Sequence, residues 1–353
     1  MSRVHLWVRA EQRANETRVG ITSEGVRALI DAGFDVSVEA SGSRIIETAD
    51  YVATGCTIVA EHSWPDAPAD AIIFGLKELP DHGTPLRHTH IMFGHAFKGQ
   101  VSGKHLLNRF KEGGGTLLDL EYLIDDTGRR VAAFGYWAGF AGAAVALKCW
   151  AAQQRGEITG SVTPFANAEA LKAALAADID RTGPVRPTAL IIGALGRVGS
   201  GAADLAKSMT VPATGWDMEE TASGGPFPEI LKHDIFLNCI LAGPKTPQFV
   251  PKSALTTERR LTVIGDIACD PDSDYNPVPV YDRATTWDAP ALRVHDSPQL
   301  DVIAIDNLPS MLPLESSQDF AAQLLPSLIT LQGDANGVWG RARAVFQDHL
   351  ADL

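Results

Sequence analysis

Short, almost wholly apolar runs that alternate with helically spaced stretches constrain this chain more than any other feature. Residues 4–8, 35–39, 56–60, 71–76, 90–94 and 116–122 have strand length and strand character. Between them, residues 23–32 place Val26, Leu29 and Ile30 at helical spacing, and 104–110 read as a second helix stopped by Gly113-Gly114-Gly115. A strand that is apolar on both faces needs cover on both, so the alternation predicts a parallel sheet wrapped by helices. The pattern restarts after the polar, proline-containing stretch 180–187, with strands at 188–192, 213–216, 234–241 and 261–269 and a helix at 200–209. The final stretches, 316–331 and 337–350, are helical and are expected to pack back on the first domain. The expected architecture is therefore α/β, with two doubly wound parallel sheets. The domains are read as 1–135 plus 316–353, and 136–315.

A chain of 353 residues suits about two domains. Its 45% hydrophobic and 21% charged residues are those of a globular protein rather than a disordered one. The net charge of −13 argues against a nucleic-acid partner, which requires a basic face. It leaves room for a small anionic substrate, because a few cations can converge in a cleft. The four cysteines form no CxxC pair and no charged-then-apolar leader opens the chain, which reads as reduced thiols in the cytoplasm. Residues 131–147 carry no charge over 17 positions, the short limit for a bilayer span. Their glycines (Gly135, Gly139, Gly142) favour a helix buried on most sides between two domains.

The clearest local motif is Gly193-Ala-Leu-Gly196-Arg-Val-Gly199, between a buried strand and a helix. Such a turn presents backbone N–H groups and a helix N-terminus to a pyrophosphate. GxxGxxG is rarer than GxGxxG, and glycine motifs alone mislead often. Asp217, at the end of the next strand, suits a ribose 2′-OH and repels a 2′-phosphate, which favours NAD over NADP. The bland reading is an aspartate that merely caps a surface strand.

In the front domain Lys77 and His95 each follow an apolar strand at its C-terminal end, where open parallel sheets bind ligands. If those strands are neighbours, the two side chains face one crevice and form an acid–base pair. From spacing alone, a surface lysine beside a structural histidine is the commoner outcome. Arg18, Lys98, Arg129 and Arg130 add positive charge, each of which is usually a solvated surface group. His88, His90 and His95 lack a partner carboxylate at ligand spacing, so no metal site is read.

Over nearly its whole length the chain resembles the NAD-dependent, lysine-forming saccharopine dehydrogenases, within the wider alanine dehydrogenase and transhydrogenase superfamily. The resemblance starts at Arg9-Ala-Glu11 and Arg18. It continues through IIFGLKELP (72–80), DDTGRRVAAFGYWAGFAGAA (125–144), LIIGALGRVGSGA (190–202), ETASGGPF (220–227) and AIDNLPSMLPLESS (304–317). It implies two Rossmann-like domains with the active site in the cleft between them. It implies the reversible reaction of saccharopine, NAD and water to lysine, 2-oxoglutarate and NADH. On the family pattern Lys77 takes the proton of the secondary amine, and His95 serves water attack on the imine. Arg18, Lys98, Gln100, Arg130 and Phe134 match substrate contacts, Glu121 an acidic position near the pair, and Asp306 a position close to the chemistry. Arg129, Gly193, Gly196, Arg197, Gly199, Asp217, Thr221, Ile267, Ile305, Asp306, Asn307 and Leu308 match nucleotide contacts.

The residue types fit that chemistry. Saccharopine carries three carboxylates, so several cations are expected in its site. Hydride loss from a carbon bonded to nitrogen needs an unprotonated amine, and imine hydrolysis needs a proton shuttle. Val198 and Leu241 depart from the fungal pattern, which has Cys and an aromatic side chain there. An opine-type or alanine dehydrogenase sharing Lys77 and His95 is one alternative, and an NAD-binding regulator without catalysis is another. The small-molecule reading carries no nucleic-acid or membrane partner and a monomer or weak homo-oligomer.

Overall fold

The computed structural model describes residues 3–13, 15–334 and 336–353, and the chain divides into two units. One comprises Met1–Ala133 with Ser316–Leu353, the other Phe134–Glu315.

The first unit is built on six parallel strands: β1 (His5–Val8), β2 (Asp35–Glu39), β3 (Thr57–Val59), β4 (Ile72–Phe74), β5 (Thr89–Met92) and β6 (Thr116–Asp119). Their order in the sheet is β3-β2-β1-β4-β5-β6, parallel throughout. The chain therefore leaves β1 to one side for β2 and β3 and to the other for β4 to β6, which puts the switch point between β1 and β4. Helix α1 (Ser23–Asp31) starts where the Thr22 hydroxyl accepts from Gly25 N at 3.2 Å, and it buries Val26 and Leu29. The short α2 (Thr48–Val52) follows β2. Helix α3 (Val101–Gly113) ends at Gly114, whose φ of +73° supplies the left-handed cap. Two later helices, α8 (Pro313–Ile329) and α9 (Val338–Ala351), lie largely in this unit, and α9 packs on β6. Trp7, Ile73, Met92, Phe110, Leu117 and Phe346 meet in one core cluster.

The second unit holds β7 (Ala189–Ile192), β8 (Ala213–Trp216), β9 (Ile235–Asn238), β10 (Val263–Asp266), β11 (Leu292–Asp296) and β12 (Gln299–Ile303). The order is β11-β12-β10-β9-β7-β8, with its switch point between β7 and β9. The sheet is not parallel throughout, as the alternation predicts. The edge strand β11 is a hairpin partner of β12 and runs antiparallel to it. An edge strand buries less of its surface, so it has no continuous apolar run to announce it.

Helix α4 (Gly135–Gln154) packs against α5 (Ala168–Asp180), α6 (Arg197–Ser208) and strands β9, β10 and β12. Its start at Gly135 corrects the expectation of a helix from residue 131. There Val131 N still donates to Leu123 O, closing a small hairpin. The helix is buried nearly all round by its own unit. Small residues permit this. A Cβ at Gly139 would overlap the Val198 carbonyl of α6, and one at Gly201 would overlap the Tyr136 carbonyl of α4. Among the described residues no helix is long and apolar enough to cross a membrane.

Candidate active site

At the C-terminal edge of the first sheet, β4 and β5 are neighbours, so Lys77 and His95 leave adjacent strands at the same edge. Lys77 stands beside the β1/β4 switch point. Burial and then the Arg18 guanidinium push its ammonium below the ordinary lysine range, with Glu16 opposing them. Arg18 is itself 2% exposed, and its fork grips Glu16 (Nε to Oε1 2.8 Å, Nη2 to Oε2 2.6 Å). Burial alone would raise Glu16, but the hydrogen bonds and charge of Arg18 outweigh it and hold the carboxyl low. The fork that sequence offers to a substrate carboxylate is thus already occupied on two of its faces.

His95 has a φ of +49° and stacks on Phe93 with ring centroids 6.3 Å apart. Its Nδ1 lies 3.7 Å from Glu121 Oε2, while Lys98 Nζ and Arg130 Nη2 reach Glu121 Oε1 at 2.9 and 3.2 Å. The His95 ring above all, and then Lys98 and Arg130, hold the Glu121 carboxyl down at about 2 against its burial. Beneath them Asp119 is fully buried and accepts from Gly94 N at 3.2 Å and Glu121 N at 2.9 Å. Burial raises Asp119 to about 6. Gln100 is exposed at the start of α3.

In the second unit Gly193, at φ +85°, makes the turn after β7 and donates to Trp216 O at 2.9 Å. A Cβ there would lie 2.6 Å from Ile240 Cγ2, just beyond β9, so the turn sits in the switch-point crevice. Gly196 precedes α6, Arg197 opens it, and a Cβ at Gly199 would overlap the Gly193 carbonyl. The result is the close strand–turn–helix cradle that fits a pyrophosphate. Asp217, half-buried after β8, accepts from Leu195 N at 3.1 Å and Met218 N at 2.9 Å. It also caps the short helix α7 (Met218–Thr221) reciprocally with Glu220, and Thr221 Oγ1 donates to its carbonyl at 2.9 Å. A carboxylate has about four lone-pair sites, one more than the bonds from Leu195, Met218 and Glu220 N use, so capping and ribose binding are compatible. Leu195, Met218 and Leu241 are 88%, 83% and 85% exposed around this edge, an apolar surface suited to a flat base. The residues present thus fit a dinucleotide.

Ile305 and Leu308 are 2% exposed core residues, so they offer a ligand backbone rather than side chain. Asn307, at φ +68°, donates from Nδ2 to Ser310 Oγ at 2.8 Å, Asp306 is exposed beside it, and Ile267 packs near Gly142. The structure gathers Lys77, His95, Arg18, Lys98, Gln100, Glu121 and Arg130 in the first unit. Phe134 and Asp306 belong to the second unit, with the glycine turn. Arg129 belongs to the first, where its N–H is tied to Asp125 Oδ1 at 3.0 Å. Reasoning from sequence missed the buried acids Glu11, Glu16, Glu39 and Asp119. For Glu39 and Asp119 the available signal was an acid as the last residue of an apolar strand; Glu11 and Glu16 had none.

Residues 7–141 match the family model described as alanine dehydrogenase/PNT, N-terminal domain. The fold is that of an L-alanine dehydrogenase structure (TM-score 0.69, 18% identity, 98% of this chain and 94% of that one). A transhydrogenase from Sinorhizobium meliloti shares it too (TM-score 0.62, 19% identity, 93% and 94% covered). Sheets, cradle and matches together define a two-sheet α/β dehydrogenase of this class. The chain belongs to the family of NAD-dependent, L-lysine-forming saccharopine dehydrogenases. It is 47% identical to the enzyme of Yarrowia lipolytica over 98% of both chains, and 46% identical to that of Emericella nidulans over 99% of this chain and 98% of that one.

Proposed function

We infer that the chain is an NAD-dependent oxidoreductase that converts saccharopine and water to lysine and 2-oxoglutarate, reversibly. The observation that carries this reading is the full-length family match joined to a half-buried Lys77 beside the switch point of the first sheet. NAD, held by the glycine cradle and Asp217, supplies the hydride acceptor.

Lys77, held below the ordinary lysine range by burial and Arg18, gives up its proton more readily, which suits it to exchange the proton of the substrate's secondary amine. His95, beside a carboxylate that stays ionised, moves protons as water adds to the imine and lysine departs. Lys98 and Arg130 bind substrate carboxylates, with Glu121 holding both cations in place between turnovers. Arg18, locked by Glu16, supplies a rigid positive charge rather than a free fork. Gln100, Phe134 and Asp306 complete the substrate contacts. Arg129, Gly193, Gly196, Arg197, Gly199, Asp217, Thr221, Ile267, Ile305, Asn307 and Leu308 serve the nucleotide. Four cysteines without a CxxC pair suit a cytoplasmic protein, and the lysine-forming activity of the relatives suits a role in lysine biosynthesis; the protein is proposed to act as a monomer or weak homo-oligomer.

The test is NADH formation from NAD with saccharopine, alanine or another secondary-amine dicarboxylate. Turnover with saccharopine far above the others is expected. Preference for alanine or another opine would reassign the substrate, and NADH binding without turnover on any of them would leave a regulator.

A further inference from the structure

We propose that Arg9 and Glu11 are positioning residues that fix the backbone of Lys77 and thereby aim its amine. This rests on the reading of Lys77 as the base. The β1–β4 ladder closes with Arg9 N donating to Phe74 O at 2.9 Å. Beyond that point β1 no longer offers carbonyls to the chain running on to Lys77. One carboxylate takes over: Glu11 Oε1 accepts Leu76 N at 2.7 Å and Oε2 accepts Lys77 N at 2.9 Å. The Arg9 guanidinium donates to the Lys77 carbonyl and to Ala10 O, and pairs with Glu11 at 3.4 Å. The amide on either side of the Lys77 Cα is therefore held by a buried ion pair, 0% and 9% exposed.

Two features separate this clamp from ordinary packing. Gly75 has no room for a Cβ because the Arg9 guanidinium occupies that space, and Arg9 Nε is buried without a hydrogen-bond partner. A buried ion pair with an unsatisfied donor is weak evidence for stability but effective at imposing one geometry. The charges that act most on the Lys77 ammonium are instead Arg18, Glu16, Arg13 and Glu78. Placement and electrostatics of the same amine are thus assigned to different residues.

A double-mutant cycle tests the clamp. Glu11→Gln keeps one acceptor and turns an amide N–H₂ towards a backbone donor. It should lower kcat roughly 10- to 100-fold, since misplacing a reacting group by an ångström has effects of that size. The KM for NAD and the pH midpoint of the basic group should stay put. In a Lys77→Ala background, assayed with and without ethylamine as an exogenous base, Glu11→Gln should have no further effect. If it lowers both backgrounds by the same factor, Glu11 does not act through Lys77 and the proposal is overturned. Should Lys77→Ala alone retain full turnover, it is the reading of Lys77 that fails. Arg9→Lys, which keeps the charge but loses the fork, and Glu11→Asp carry the same cycle if Glu11→Gln does not fold, as judged by NADH binding and circular dichroism.

Discussion

The two sheets share a strand count and each has one switch point, central in the first and two strands from the β8 edge in the second, yet their C-terminal edges are furnished in opposite ways. In the first unit the edge is charged: Lys77, Glu16–Arg18, Arg9–Glu11 and the Glu121 cluster with His95, Lys98 and Arg130. In the second, bare backbone, glycine and exposed apolar side chains surround Asp217, while Asp266 lies buried at the end of β10. The difference teaches that the switch point supplies only a place. Side chains make it reactive, and their removal makes it a cradle for a large ligand.

The contrast is most exposed to Lys77→Met. This variant should lower kcat by roughly 10²–10⁴-fold while NADH binding, followed by fluorescence, is unaltered. His95→Gln should behave likewise, and wild-type rates in both would remove the division of labour. In the other direction, Gly199→Ala should destabilise the second unit by about 1–3 kcal/mol in calorimetry and weaken NADH at least tenfold. Its methyl group would collide with the Gly193 carbonyl. An unchanged thermogram would mean that the turn yields easily and that the cradle is not tight. Asp217→Ala should weaken NAD by about tenfold, improve relative use of NADP, and lose about 1 kcal/mol of helix cap. Asp217→Asn keeps a capping acceptor, so a retained preference for NAD in that variant would show that shape rather than charge selects the cofactor.

The smallest effect concerns pH. Asp119 titrates near 6 in the folded protein against 3.8 in the unfolded chain. The native state therefore takes up a proton first as pH falls. The penalty of its buried charge, present above pH 6, is relieved between 6 and 3.8, and adds about 1 kcal/mol of stability from pH 7 to 5. Glu121 runs the other way: its contribution is intact above 4.5 and disappears only as pH falls through about 2. Denaturant titrations of the wild type and Asp119→Asn at both pH values should differ by that amount, and parallel curves would contradict the assignment.

Much of the architecture was legible because buried parallel strands leave continuous apolar runs. β2 and β8 match their sequence-read bounds, and α8 and α9 overlap the stretches read as helical from their periodicity. The edge strand β11 and the amphipathic α5 left no such run, and in β12, buried on both faces, Asp301 interrupts it. The glycine turn, Asp217, Lys77 and His95 were visible because each stands at the end of such a strand. Glu39 and Asp119 also end such strands, but a carboxylate that satisfies backbone donors looks like any surface acid until the fold closes over it. Glu39 shows this most fully: it accepts from Trp7 Nε1, Ala10 N, His62 N and Trp64 N and has no exposure at all.

The backbone contact of α4 with α6 at Gly139 and Gly201 leaves no cushion of side chains between the two helices. Two helices in backbone contact resist sliding past each other, so a shift of α4 would be passed on to the N-terminus of α6, where the glycine turn ends. A designer wishing to loosen the grip on the coenzyme without touching the turn would add a single methyl group at either glycine.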